Sequence, residues 1–375
     1  MSRLKRILYF QSRDDLQRRS MLRGFQSFAV RHDWLVEVAP SGNVDFAEAM
    51  LRAVNPDVCI AGPWLWTEMP GLFDGQKIVG LDVDLSAAGH PSSIMDNRAA
   101  GQTIARFLLQ KSFGHLATYG DRQSWSADRA AAFRQVVESS SRNFVGAFLT
   151  GHGGRGALRT WLASLPARTA ILATCDRFAE TLIVECRLLG IHVPEQLAII
   201  GVDNEELICD FCVPQLSSLQ MPYFRQGEAA AIFAHRLLHG RAIADLRFAL
   251  GPGGVVERQS TETLASDNPA LVAALQFIRK RWDKPLQVDD VARAAVANRR
   301  WLERAFLKHI GHGIAKEIQY VRVMHVKRLL TSTALPIHDV ANQCGFRDAT
   351  IMGMTFRAIT RTTPSAYRRQ FIASE

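Results

Sequence analysis

Cysteine is scarce and unpatterned in this sequence. Six residues in 375, at positions 59, 175, 186, 209, 212 and 344, are too few and too scattered for a disulfide scaffold and fit a reducing compartment. Cys209 and Cys212 form a lone C-x-x-C with no second ligand pair at matching spacing, so no metal site is expected. Long hydrophobic runs are missing too: none approaches the roughly 18 residues that cross a bilayer as a helix. The basic N-terminal stretch is followed by charged Arg13, Asp14 and Asp15 rather than by an apolar core, which argues against a signal peptide and for the cytoplasm. Low-complexity tracts are absent. No Ser/His/Asp or Cys/His set stands out, so catalysis has no obvious carrier.

What is present is a basic charge confined to one end. The segment from Ser266 to Glu375 has 18 lysines and arginines against 9 acidic residues and carries the whole net charge of +9; the preceding 265 residues have 27 of each. A basic module of this kind neutralises phosphates. Its pattern is helical and occurs twice. Ile337, Val340 and Ala341 make the stripe of a short helix that Gly345 closes, and Asp348 can cap a second helix through Ile351, Met352, Thr355 and Phe356. Upstream, Val288, Val291 and Ala292 lie on one face of another short helix, and Asn298 can cap a helix from Arg299 to Lys308 that Gly311 ends. A long helix from about Ile314 to Leu330 joins the pairs. Two helix-turn-helix units on one connecting helix can reach successive major-groove turns about 34 Å apart.

The first 260 residues alternate strands and helices. Strands are expected at 5–10, 34–39, 57–61, 77–81, 115–119, 145–149, 169–173 and 197–201, with helices at 16–31, 47–54, 98–109, 127–137, 157–163 and 177–189. That alternation predicts parallel sheets in two lobes, with ligands bound beyond the carboxyl ends of the strands. There stand Asp96, Asn97, Arg98, Asp121, Arg122, Asp176, Arg177, Asp203, Asn204 and Glu205, with Trp125 and Phe224 as aromatic candidates. Acids, amides, arginine and an aromatic face suit a sugar. Asp96 and Asp176, taken singly, also read as helix caps. Residues 261–270 form the expected linker, in which Asn268 can cap a helix from Leu271 to Trp282.

A dinucleotide-binding enzyme is the alternative. Gly151, Gly153 and Gly156 satisfy G-x-G-x-x-G between a strand and a helix, and Asp176 follows 20 residues on. A ligand-independent architectural DNA-binding protein is a third reading.

The C-terminal segment resembles the AraC-type DNA-binding domain. The resemblance rests on Leu302, Arg304, Phe306, Gly311, Arg322, Lys327 to Leu330, Ile337, Ala341, Gly345, Phe346, Phe356, Thr363, Pro364, Tyr367 and Arg368. The chain departs from the family at Ile351 and Met352, where an aromatic pair is usual, and at Arg361, where glycine is usual. Residues 4–260 resemble the LacI-type, periplasmic-binding-protein-like sensor domain. This match rests on Ile94 to Asn97 with Gly101, on Arg129 to Phe133, on Gly201 to Asn204, and on Leu216 to Leu219. The resemblance implies that Arg129 holds sugar hydroxyls and that Cys175 borders the ligand where that family tends to have asparagine.

Together the resemblances imply an α/β two-lobed sensor (1–260), a linker (261–270) and an all-α domain with two helix-turn-helix units (271–375). This is the arrangement of the xylose-operon regulators. They imply a sugar-responsive regulator, expected to be an activator, with a monosaccharide effector such as D-xylose. Its partners would be operator DNA, a second copy of the chain and RNA polymerase; no cofactor is expected. By the same matching, Arg299, Arg300, Glu303 and Arg304 meet base edges in the first unit, with Trp301 packed. In the second unit Ala349, Thr350, Gly353 and Met354 take those places, and Arg347, Arg357 and Arg361 face phosphates. The first unit is then expected to set specificity and the second to supply backbone affinity.

Overall fold

The computed structural model describes residues 4–372 except 12–15, 41–43, 69, 112, 152, 263–268, 311 and 334. The core of the expected linker, the Asn268 cap and Gly311 therefore lie outside the described residues. The chain divides into two compact units, Met1–Thr261 and Glu262–Glu375.

The first unit begins with β1 (Arg6–Gln11), α1 (Leu16–Val30), β2 (Leu35–Pro40), α2 (Val44–Val54), β3 (Val58–Ala61), α3 (Pro63–Glu68), β4 (Ile78–Leu81) and β5 (Ser92–Met95). It continues with α4 (Asn97–Leu109), β6 (His115–Gly120), α5 (Ser124–Glu138), β7 (Asn143–Leu149), α6 (Gly154–Ser164), β8 (Thr169–Ala173), α7 (Asp176–Leu188) and β9 (Leu197–Asp203). It closes with α8 (Glu206–Phe211), β10 (Ser217–Gln220), α9 (Tyr223–Leu238), β11 (Arg247–Leu250) and β12 (Val255–Val256).

Two six-stranded sheets result, ordered β11-β5-β4-β3-β1-β2 and β12-β10-β9-β8-β6-β7. Every strand pair is parallel except β10 with β12. The chain passes between the sheets three times, after β5, after β10 and after β11.

Both faces of each sheet are covered, as parallel sheets require. In β1, β3 and β4, Ile7, Tyr9, Val58, Ile60 and Val79 join one core, while the alternate residues Leu8, Phe10, Cys59, Ala61 and Ile78 join another. The second sheet repeats the alternation, with Ala117, Ile171 and Ile199 facing away from Leu116, Ala170 and Ile200. The expected strands and helices are present with boundaries shifted by a few residues. β5 was not foreseen because Ser92 and Ser93 weaken its apolar signal. Both serines are fully buried, and they are satisfied within the fold: Ser92 Oγ accepts from Leu85 N at 2.8 Å, and Ser93 Oγ donates to Gln226 O at 3.0 Å.

Glycines let the helices approach. A Cβ on Gly24 would stand 1.9 Å from Phe224 O, and one on Gly227 1.8 Å from Met21 O, so α1 and α9 touch through backbone. Gly101 does the same for α4 and α5, with Arg129 O at 2.1 Å. This last contact fixes where Arg129 stands.

The second unit holds α10 (Pro269–Lys280), α11 (Val288–Ala294), α12 (Arg299–Ile310), α13 (Ile314–Ser332), α14 (Ile337–Gln343), α15 (Ala349–Thr360) and α16 (Pro364–Ile372). The pairs α11/α12 and α14/α15 are the two expected units. Gly345, at φ 70°, ends α14 in a Schellman turn: Phe346 N donates to Ala341 O at 3.0 Å and Gly345 N to Asn342 O at 3.2 Å. α11 ends with the same bonds, Ala297 N to Ala292 O and Val296 N to Arg293 O, both 3.1 Å. Here the left-handed position is taken by Val296, at φ 51° and 93 % exposed. Arg361, at φ 61°, ends α15; a left-handed conformation explains why glycine is usual there.

One core gathers α10 to the first half of α13, and another gathers the rest of α13 with α14 to α16. Trp282 packs against both and stacks on His325 with centroids 3.6 Å apart. Arg322 of α13 ties the same place together. Its Nε donates to Trp282 O at 3.0 Å, its Nη2 to Lys284 O at 2.7 Å, and its guanidinium lies 5.8 Å from the Phe346 ring centroid.

Candidate ligand pocket and nucleic-acid interface

The carboxyl ends of the strands in the first unit converge on one buried ion pair. Arg129, on α5, is 4 % exposed; Asp203, the last residue of β9, is 8 % exposed. Arg129 Nη1 lies 3.5 Å from Asp203 Oδ1 and donates to Thr174 O at 2.7 Å; its Nε donates to Asn97 Oδ1 at 2.9 Å. Asp203 also accepts from Tyr223 Oη and Gln17 Nε2, each at 2.5 Å. Gln17 comes from α1, so the acid at the end of one sheet is held by a helix of the other lobe.

Asp203 and Asn204 have φ of 115° and 53°, consecutive strained conformations of the sort that concentrate at binding sites. The Arg129 guanidinium lies 5.0 Å from the Trp125 ring centroid, and Trp125 stacks on Phe178. On the other lobe, Arg18 pairs with Asp82 at 3.2 Å. Burial, followed by the charge of Asp203, raises the Tyr223 hydroxyl well above its ordinary range.

The remaining expected pocket residues divide by what they hold. Asp96 caps α4, accepting from Ala99 N at 2.8 Å through one oxygen. Asn97 supports Arg129. Cys175 sits half-buried at the start of α7, and burial together with Asp203 pushes its thiol up to about 12, so it is a neutral group there. Asp176 faces inward. It accepts from Ser218 Oγ at 2.5 Å, Glu205 N at 2.8 Å and Cys209 Sγ at 3.4 Å, bracing α7 to the turn after β9. Burial, then the Asp203 charge, raises its carboxyl to about 8 despite these donors. Asn204 accepts from Arg258 Nη1 at 2.9 Å. Gln17, Arg18, Asp82, Thr174, Phe178 and Tyr223 were not singled out in the sequence.

The dinucleotide alternative loses its acid. β7 is an edge strand and α6 does open behind Gly153, but Asp176 is engaged with β10 and α8 and is 1 % exposed. That acid is therefore withdrawn from any ribose hydroxyl. Among the described residues no His/Cys/Asp/Glu group is placed to hold a metal ion, and no helix is long and apolar enough to cross a membrane.

In the second unit the caps position the two reading helices. Asn298 Oδ1 accepts from Arg300 N at 3.0 Å and Trp301 N at 3.3 Å; Asp348 Oδ1 accepts from Ile351 N at 2.8 Å. α12 buries Leu302, Ala305 and Phe306 and exposes Arg299, Arg300 and Arg304. Arg299 is paired with Asp289 at 3.0 Å and Glu303 at 3.1 Å. Trp301 is 37 % exposed and is not among the residues of the core, being one step, about 100°, from buried Leu302. On α15, Met352 and Phe356 are buried, whereas Thr350, Met354 and Arg357 are exposed. Arg347 pairs with Asp348 at 3.3 Å, and Arg361 is exposed.

This architecture has known counterparts. A periplasmic binding protein-like domain is recognised over residues 105–261 and a helix-turn-helix domain over residues 291–370. The xylose operon regulatory protein of Escherichia coli K12 is 32 % identical over 285 residues, 73 % of this chain and 72 % of that protein. The protein of the same name in Haemophilus influenzae is 28 % identical over 288 residues, 74 % of each. A solved structure described as the xylose-binding transcription activator XylR matches with a TM-score of 0.76 and 26 % identity, covering 98 % of both chains. The lac repressor dimer bound to operator matches 70 % of this chain with a TM-score of 0.58 and 15 % identity, a likeness of fold. A LacI-type sensor followed by an AraC-type helix-turn-helix domain, with identity of this level across most of the chain, shows that the protein belongs to the family of sugar-responsive, DNA-binding transcription regulators that includes the xylose operon regulatory proteins.

Proposed function

We propose that the chain is an activator whose effector is a monosaccharide, D-xylose in the first instance, held in the cleft around Arg129 and Asp203. The single observation that carries this reading is the buried pair itself. A charged acid and base at the carboxyl ends of the strands are bonded to residues of both lobes and flanked by Trp125. Sugar hydroxyls need acceptors and donors of this kind, and an aromatic ring covers their C–H face.

Asp96, Asn97 and Cys175 border the ligand in this reading, while Asp176 and Asn204 hold the turns that shape its wall. Residues 1–260 sense, 261–270 link and 271–375 bind DNA, in the cytoplasm and as a homodimer on repeated half-sites. Closure of the lobes on the ligand favours one arrangement of the DNA-binding units, since a ligand shifts states only by differential affinity. RNA polymerase is the partner that an activator must reach. In the helix-turn-helix pair α11/α12, Arg299, Arg300, Glu303 and Arg304 provide the hydrogen-bonding readout of bases, with Thr350 in the pair α14/α15. Arg347, Arg357 and Arg361 meet phosphates.

Thermal shift against a panel of pentoses and hexoses tests the effector. A ligand that binds only the folded state raises the unfolding temperature. D-xylose is expected to do so in the wild type and not in Asp203→Asn; no response to any sugar would overturn the reading. Operator selection from a random library tests the DNA assignment. Arg304→Ala is expected to cost about 1–3 kcal/mol and relax preference at one or two base pairs, whereas Arg357→Ala should weaken all sequences alike.

A further inference from the structure

The outward face of α15 contains a glycine that the protein itself does not need. Gly353 is the fifth of twelve residues in that helix. Its backbone is not among the left-handed ones, and a Cβ built on it would meet nothing within 4 Å. The other glycines deep inside helices, Gly24, Gly101 and Gly227, each admit the backbone of a neighbouring helix. Gly353 has no such cause, and glycine weakens a helix interior relative to alanine.

Beside it stands Met354, 62 % exposed. A large apolar side chain held in water on a reading helix is a second departure from what folding alone would choose. Thr350, one turn earlier, is also exposed and shares this face. The face is thus small at its centre and apolar at its edge, between arginines at positions 347 and 357.

We propose that α15 reads thymine methyl groups through Met354, and that Gly353 lets the helix backbone sink close enough to the base edges for that contact. The inference rests on the DNA-binding reading of the second unit. In the major groove, thymine alone among the four bases presents a methyl group. A methionine side chain is flexible and polarizable enough to pack on it. Guanine or cytosine at the same place would have donors and acceptors covered by an apolar side chain without partners, which is unfavourable. The second unit then contributes sequence preference as well as backbone affinity. This revises the expectation drawn from its lack of hydrogen-bonding side chains.

The test uses the full chain and a duplex that the chain itself selects from a random library. Each thymine of that duplex is then replaced by deoxyuridine, which removes only the methyl group. One or two replacements in the patch that α15 reads should weaken wild-type binding about fourfold each, the worth of one buried methyl. They should have no effect on Met354→Ala. Equal losses in both proteins, or no loss in the wild type, would overturn the proposal.

Gly353→Ala separates reading from folding. It should raise the unfolding temperature of the second unit and weaken operator binding at least tenfold. Unchanged affinity with raised stability would refute the role given to Gly353. A selected duplex with no preference in the patch that α15 reads would sink this inference alone, whereas failure to select any sequence would sink the DNA-binding assignment beneath it.

Discussion

Removing Arg129 should cost the sensor far more than a ligand contact. Its guanidinium and the Asp203 carboxylate are 5 % and 3 % exposed at the side chain and 3.5 Å apart. Breaking a buried pair by deleting one partner leaves the other charge uncompensated, at about 3–5 kcal/mol. In Arg129→Met, Thr174 O and Asn97 Oδ1 also lose a donor. Asp203 keeps Tyr223 and Gln17, which holds the loss near the lower end of that range.

Asp203→Asn should cost a similar amount, since Arg129 then carries the unpaired charge. The double variant Arg129→Met with Asp203→Asn removes both charges of the pair together and should cost less than the sum by about 1.5–3 kcal/mol. Urea unfolding followed by hydrogen exchange at α5 and β9 reads the sensor separately from the second unit. Strict additivity, or a single-variant loss under 1 kcal/mol, would refute the view that these two residues are one electrostatic unit. Operator binding should survive in all three variants where the sensor stays folded.

Val296→Gly should stabilise the second unit by about 0.5–1 kcal/mol: it relieves roughly 1–2 kcal/mol of left-handed strain against glycine's larger entropy loss, with no contact forfeited at 93 % exposure. A lower denaturation midpoint would contradict this. Cys175→Asn adds a donor and an acceptor beside Asp203 and should change the ranking of pentoses and hexoses in a thermal-shift panel; an identical ranking would remove Cys175 from the pocket. Burial lowers the His235 pKa from 6.5, with help from His239, His32 and Arg241. Unfolding then releases a group that binds protons more readily, so this contribution to stability is present above pH 6.5 and is lost as pH falls below it. His235→Phe, which can keep the packing on Phe28 and Trp34, should flatten stability against pH in that range.

The alternation of strands and helices was legible because parallel sheets demand long buried stretches, and the paired helix-turn-helix units because their caps and glycine turns are local. Gly345 and Asp348 do what their spacing indicates. Of the candidate site, Asp203 was legible because it follows a strand, Arg129 came from the family resemblance, and Asp96, which also read as a helix cap, caps α4. Gln17 and Tyr223 were not, since nothing near them in sequence says that α1 and α9 will end beside Asp203, 186 residues from one and 20 from the other. Thr174 contributes a carbonyl, which no side-chain pattern can announce. Asp176 misled because an acid after a strand looks alike whether it faces a cleft or a neighbouring turn; the serine at position 218 and the thiol at position 209 turned it inward.

Trp282, shared by two cores and clasped by Arg322, has a consequence for the DNA rather than for the protein. Two halves that share a partly buried indole, braced by the Arg322 bonds to Trp282 O and Lys284 O, are held in one arrangement. The domain can only accept targets whose two contact patches already have the right phase. Adding one base pair between them advances the far patch by about 3.4 Å and rotates it by about 35° around the helix axis, a screw motion that a rigid clasp cannot follow. Operators of this protein should therefore tolerate changed letters in the spacer far better than a changed number of them.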